Sequence, residues 1–131
     1  MKVKKELLIP RLGNHYSYHD SVIVIEQLKN EFPEIVEVSS FGRSYEGRDI
    51  PLVTLSMGTK PMKSKPAMLI TGAHHAREAV SIQMPFYIIF RLLHGVIHND
   101  EYYIDLLENN TLYFVPMLNV DGVFDIEQTF F

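Results

Sequence analysis

The chain has 131 residues, is 47% hydrophobic and 21% charged, carries a formal net charge of −4 and holds no cysteine. That composition supports one modest domain, or part of a larger one, and excludes a disordered polymer. The acidic balance argues against a nucleic-acid partner, which draws on clustered Lys and Arg; without cysteine there are no disulfides or thiolate sites, so a metal here takes His, Asp or Glu.

The opening MKVKKELLIP follows positive charge with a short apolar patch, Leu7 to Pro10. A secretory core runs to about 7–15 apolar residues, so the expectation is no signal peptide and, by default, a cytoplasmic protein. The longest uncharged stretch, Ala79 to Phe90, falls short of the roughly 18 residues that argue a membrane span. It is expected to be a buried helix of a soluble protein, with no membrane partner.

HYSYHDSVIVIEQLKNEF has the spacing of a helix. Ser17 or Asp20 caps it, Val22, Ile25, Leu28 and Phe32 form one apolar stripe, and Pro33 stops it. IVEVSSFG alternates and is rich in β-branched residues, which predicts a strand. RSYEGRD is a polar turn around Gly47, and IPLVTLSMG a second strand that closes a hairpin. GTKPMKSKP is a loop. AMLITGA is a third strand, apolar throughout, so burial on both faces is expected.

From Arg77 or Glu78 the pattern turns helical to about His94, with Gly95 as a C-cap. Pro85 inside that helix costs about 3 kcal/mol or kinks it, unless the regular helix starts late. NDEYYIDLLEN predicts a short helix and NTLYFVPML a fourth strand. NVDG then predicts a tight turn before VFDIEQTFF. Strand pairs followed by strand–helix–strand define a mixed α/β fold. Ligands of open α/β sheets sit outside the carboxyl ends of strands, and both GAHHARE and NVDG fall at such ends.

His75 and Glu78 are candidate metal ligands. Residues three apart on a helical turn share a face, roughly 5–6 Å between Cβ atoms, so an imidazole and a carboxylate converge on one cation. Zinc accepts both, and a catalytic zinc wants a third protein ligand and an open position for water. The spacing alone leaves a second reading open: a surface histidine and a glutamate placed to favour a helix N-terminus. His98 and Glu101 repeat the spacing, but in a polar linker where Asn99 or Asp100 has a capping role. His74, as a strand neighbour of His75, points to the other face, which makes it a packing or supporting group. His15 and His19 are expected to face solvent, and His94 suits a helix C-terminus electrostatically.

GAHHAREAVS resembles the zinc-binding signature of the M14 family of metallocarboxypeptidases. FGRSYEGRDI is similar to that family's upstream strand–turn–strand, YSYHDSVIVIEQLKNEFPEIVEV to its opening helix, and VPMLNVDG to its N-P-D-G turn. The four motifs come in the family's order and reach to about Gly122. The resemblance implies the N-terminal half of a zinc-carboxypeptidase-like mixed-sheet α/β fold, with residues 1–131 a partial catalytic domain. It implies zinc as cofactor, His75 and Glu78 as two of three zinc ligands, and Arg77 as a substrate-binding arginine. It implies hydrolysis of an amide, usually a C-terminal peptide bond or, in some bacterial relatives, a γ-D-glutamyl–diamino acid bond of cell-wall peptides.

The chain departs from the family pattern at two motif positions. Ala79 stands where the family usually has Trp, and Val120 replaces the Pro of N-P-D-G. The family's third ligand, its substrate-carboxylate and oxyanion groups and its general base lie further along than Phe131. The expectation is therefore a truncated half-fold, inactive alone. The alternative is a non-catalytic fragment or interaction module that keeps the half-fold. Uncovered apolar surface on AMLITGA and FYIIFRLL adds an expectation of self-association, unless Phe124, Phe130 and Phe131 of the tail fold back as a cover.

Overall fold

The computed structural model describes residues 16–130; the Leu7 to Pro10 patch, His15, Phe131 and the side chain of Phe130 lie outside the described residues. Helix α1 (Tyr18–Glu31) starts in a capping box in which Ser17 and Asp20 both take part, Ser17 Oγ accepting from Asp20 N and Asp20 accepting from Ser17 N. Two of the first turn's free N–H groups are satisfied in this way. Ile25, Leu28 and Phe32 of the expected stripe are buried and Val22 is half-buried.

Strands β1 (Val36–Arg43) and β2 (Asp49–Leu55) form the expected antiparallel hairpin, with a register shift between Ser40 and Gly42. A loop with one 3₁₀ turn leads to β3 (Ala67–Thr71). Helices α2 (Val80–Ile97) and α3 (Glu101–Asn109) follow, then β4 (Thr111–Val115) and α4 (Val120–Phe130). The sheet order is β1-β2-β4-β3, with β4 antiparallel to β2 and parallel to β3. A parallel pair needs a long crossover, and α2 and α3 supply it. The core joins Val53, Leu55, Leu112 and Phe114 of the sheet to Phe86, Ile89 and Leu93 of α2. Each such side chain contributes roughly 1.5–3 kcal/mol on burial.

Four expectations are corrected. AMLITGA is not buried on both faces: among the described residues β3 pairs with β4 alone, and Met68 and Leu69, adjacent and so on opposite faces, are 60% and 53% exposed. The helix after the H-x-x-E starts at Val80, not at Arg77 or Glu78. Gly95 does not end α2; it lies inside it, where an added Cβ would stand 2.1 Å from the Tyr103 ring of α3. The helix instead closes at Asn99, whose φ of 56° is left-handed, with Asp100 N bonded to Gly95 O at 2.9 Å and Asn99 N to Val96 O at 3.1 Å. That pair of bonds is the Schellman arrangement, built here on asparagine. Finally, NVDG is no tight turn: Asn119 Oδ1 accepts from Gly122 N at 3.0 Å and α4 begins at Val120.

Helix α2 is long and apolar enough to cross a membrane, yet half of that stretch is buried within the domain. Core helices of folded domains have the same length and composition.

Candidate metal centre

β3 and β4 run parallel with Thr71 opposite Val115, so their carboxyl ends open on one edge of the sheet. The two exits stay stitched together beyond the strands. Gly72 N donates to Val115 O at 2.9 Å, Leu118 N to Gly72 O at 2.9 Å, and Asn119 N to Ala73 O at 3.0 Å. Ala73 is buried and left-handed, φ 52°, a conformation uncommon outside glycine. It turns the chain off the sheet, and His74 to Glu78 leave as a loop.

His75 and Glu78 are brought together by a turn rather than by a helix: Glu78 N donates to His75 O at 3.0 Å. Ser81, on the first turn of α2, clasps this loop from below. Its hydroxyl donates to Glu78 O at 2.5 Å and accepts from Ala73 N at 3.0 Å. The same turn explains Pro85. Proline has no N–H for the carbonyl four residues back, which is that of Ser81. That carbonyl lies over Gly72, where an added Cβ would stand 2.1 Å from it, so the helix start seats directly on the strand exit. Gly72, Ser81 and Asn119 position the loop, and none carried a signal of that role in the sequence.

The side chains of His75, Arg77 and Glu78 are all exposed. Among the described residues the ion pairs are those of Arg48 with Glu46 and Asp121, so Arg77 and Glu78 are uncommitted. His74 is committed: its Nε2 lies 2.7 Å from Thr71 Oγ1, and its carbonyl accepts from Asn119 Nδ2 at 3.3 Å. It is therefore exposed and turned back on the strand, not packed in the core.

The hairpin loop and the start of α4 meet beside this site. Asp121 accepts from Ser44 Oγ at 2.6 Å, Glu46 N at 3.0 Å and Arg48 Nη1 at 2.8 Å. The Ser44 hydrogen bond, with help from Arg48, holds the Asp121 carboxyl below the usual carboxylate range, and Glu46 and Asp121 push the Arg48 guanidinium up. Arg48 also lies over the Phe124 ring, 3.9 Å from its centre.

A histidine nitrogen and a carboxylate oxygen are donor types that zinc takes, and the His75–Glu78 turn holds both on one loop, so the pair fits part of a zinc shell. Among the described residues no third His, Cys, Asp or Glu joins them.

The mixed α/β fold matches metallocarboxypeptidase structures over a part of their length. The zinc carboxypeptidase family model matches residues 22–129, and the chain belongs to that family. It is 31% identical over 109 residues to a zinc carboxypeptidase of Saccharothrix mutabilis subsp. capreolus, covering 83% of this chain and 25% of that protein. It is 32% identical over 114 residues to an inactive metallocarboxypeptidase of Saccharomyces cerevisiae, covering 83% of this chain and 26% of that protein. It superposes on the carboxypeptidase A of Helicoverpa armigera with a TM-score of 0.73 at 29% identity, covering 87% of this chain and 27% of that one. The chain thus spans about a quarter of the length of these relatives. Zinc is the metal of this family.

Proposed function

We propose that the chain is the part of a metallocarboxypeptidase that supplies two zinc ligands, the His75 imidazole and the Glu78 carboxylate. The observation that carries this is the turn closed by Glu78 N and His75 O at the carboxyl end of β3. When bound, zinc polarises a scissile carbonyl and lowers the pKa of its water. His75 and Glu78 hold and orient the ion. Arg77, exposed between them and free of ion pairs, presents its guanidinium to an oxygen of the substrate. Ser81 and Asn119 keep the loop in register with the sheet. The substrate class is a peptide cut at its C-terminal bond, or a cell-wall peptide with a γ-D-glutamyl–diamino acid bond.

A second reading is a non-catalytic fragment or interaction module. It is favoured by one observation: two donors, with no third joining them among the described residues, leave a zinc shell half filled by protein. The relative named as inactive shows that family membership and turnover separate.

Zinc titration of the 131-residue polypeptide, followed calorimetrically, tests the ligand assignment. Binding is expected to weaken by at least about 10-fold in His75→Ala and in Glu78→Ala. Unchanged affinity in both variants would remove the assignment. Peptide hydrolysis by the same polypeptide is expected to be absent; zinc-dependent turnover abolished by Glu78→Ala would refute the reading of an incomplete site.

A further inference from the structure

We infer that His94, on the last turn of α2, and His98, the residue that caps its C-terminus, form a second transition-metal site that is independent of His75 and Glu78. The two are i and i+4 on one helix face, both exposed, and their rings lie with centres 4.1 Å apart and planes inclined by 28°. Two imidazole nitrogens at about 2.0–2.1 Å from one tetrahedral ion stand roughly 3.3 Å apart. A small rotation of these exposed side chains brings the rings from stacking to chelation.

The donor roles are already set on one ring. His98 Nδ1 lies 2.8 Å from His94 O. A carbonyl oxygen only accepts, so Nδ1 is the donor in this bond and Nε2 is the ring nitrogen left for a metal. Metal-binding histidines are oriented by this kind of bond from the far ring nitrogen to a carbonyl. The helix end beneath them is fixed, because Asn99 N and Asp100 N close it onto Val96 O and Gly95 O.

The local field favours a cation. The carbonyl end of a helix carries partial negative charge, and Asp100 and Glu101 follow within three residues of His98. Arg91, one turn before His94, directs its guanidinium to the Tyr103 ring, 5.5 Å from its centre. With two protein ligands, water completes the shell, so the site takes an imidazole-preferring ion such as Ni²⁺, Cu²⁺ or Zn²⁺, with Cu²⁺ the tightest. It lies at the opposite end of α2 from the H-x-x-E loop. Fourteen to eighteen helical positions at 1.5 Å each put roughly 20–27 Å between them.

The test is isothermal titration of the 131-residue chain with Ni²⁺ and with Zn²⁺, in wild type, His94→Gln, His98→Gln and the double variant His75→Gln/Glu78→Gln. Circular dichroism checks that each keeps its helix content; all four substituted side chains are exposed. Ni²⁺ affinity is expected to fall by about 10- to 100-fold in His94→Gln and in His98→Gln, and to persist in His75→Gln/Glu78→Gln. Zinc-induced shifts of the His94 and His98 ring resonances in the double variant provide a direct readout. In the His75→Gln/Glu78→Gln background, Ni²⁺ binding that survives a further His94→Gln or His98→Gln change, or Ni²⁺ binding already lost in His75→Gln/Glu78→Gln itself, overturns the inference.

Discussion

Asp121, at the start of α4, accepts a hydrogen bond from Arg48 Nη1 of the β1–β2 hairpin at 2.8 Å, across 73 positions of sequence. Ser44 Oγ and Glu46 N complete the carboxylate's partners. The S-Y-E-G-R and N-V-D-G segments, far apart in the chain, are thereby one structural unit.

This unit predicts an acid-sensitive fold. The Ser44 hydrogen bond first, then Arg48, lowers the Asp121 pKa below its ordinary 3.8. A carboxyl with a depressed folded pKa contributes stability that is complete above the unfolded value and is lost as pH falls through the folded one. Urea denaturation across the acid range should show Asp121→Asn less stable than wild type at neutral pH. The gap should close as pH falls below the usual carboxylate range. A gap that stays constant with pH would show that the carboxylate charge is not what Ser44 and Arg48 recognise.

Ser81→Ala should loosen the His74–Glu78 loop without disturbing the core. The hydroxyl holds both Ala73 N and Glu78 O, so the substitution removes two hydrogen bonds, each with a net effect of about 1 kcal/mol. Groups that orient ligands typically account for 10–100-fold in metal affinity. On the proposal that His75 and Glu78 hold zinc, calorimetry should find affinity lower by about 10-fold. A Ser81→Ala protein with wild-type zinc affinity would mean that the loop keeps its shape without the clasp.

Gly95→Ala tests the packing of α2 on α3. In an open helix the change gains about 1 kcal/mol from helix propensity. Here the new methyl would stand 2.1 Å from Tyr103 Cδ2 and 2.8 Å from its Cβ. The near position of Cβ keeps the ring from swinging clear, and overpacking of this kind costs about 1–3 kcal/mol. Denaturation should show a net loss of stability, relieved in a Tyr103→Ala background. A stabilised Gly95→Ala would contradict the close approach of the two helices.

The regular elements were legible because local rules and tertiary packing agree. Ser17 with Asp20 announced α1, and the alternation in IVEVSSFG announced β1. His75 and Glu78 stood out through their context at a strand end. What stayed hidden depends on partners distant in sequence. Gly95 looks like a helix stop, and only Tyr103 explains it as a contact. Asn119 looks like a turn residue, yet it caps α4 while holding His74 O. The apolar run of β3 suggests full burial, because composition cannot say which strand lies at an edge. Pro85 is tolerated because its missing donor falls on Ser81, whose carbonyl lies over Gly72.

The edge of β3 carries the last prediction. Met68 and Leu69 are more than half exposed, and among the described residues β4 alone pairs with the strand. On α2, Val80, Met84 and Tyr87 are exposed as well. The tail does not supply Phe124 as a cover: its ring packs against Arg48 and, edge-on at 6.1 Å, against Tyr18 of α1. An open strand edge with apolar side chains is a template for pairing with another chain, and charge on the edge suppresses it. Size-exclusion chromatography with light scattering should therefore show a mass that rises with concentration. Leu69→Lys should shift the protein toward monomer, while Tyr45→Lys, a change at a fully exposed hairpin tip away from the edge, should not. A wild-type mass that stays monomeric across a wide concentration range would mean that the β3 edge does not pair, and that Met68 and Leu69 are tolerated in water as they stand.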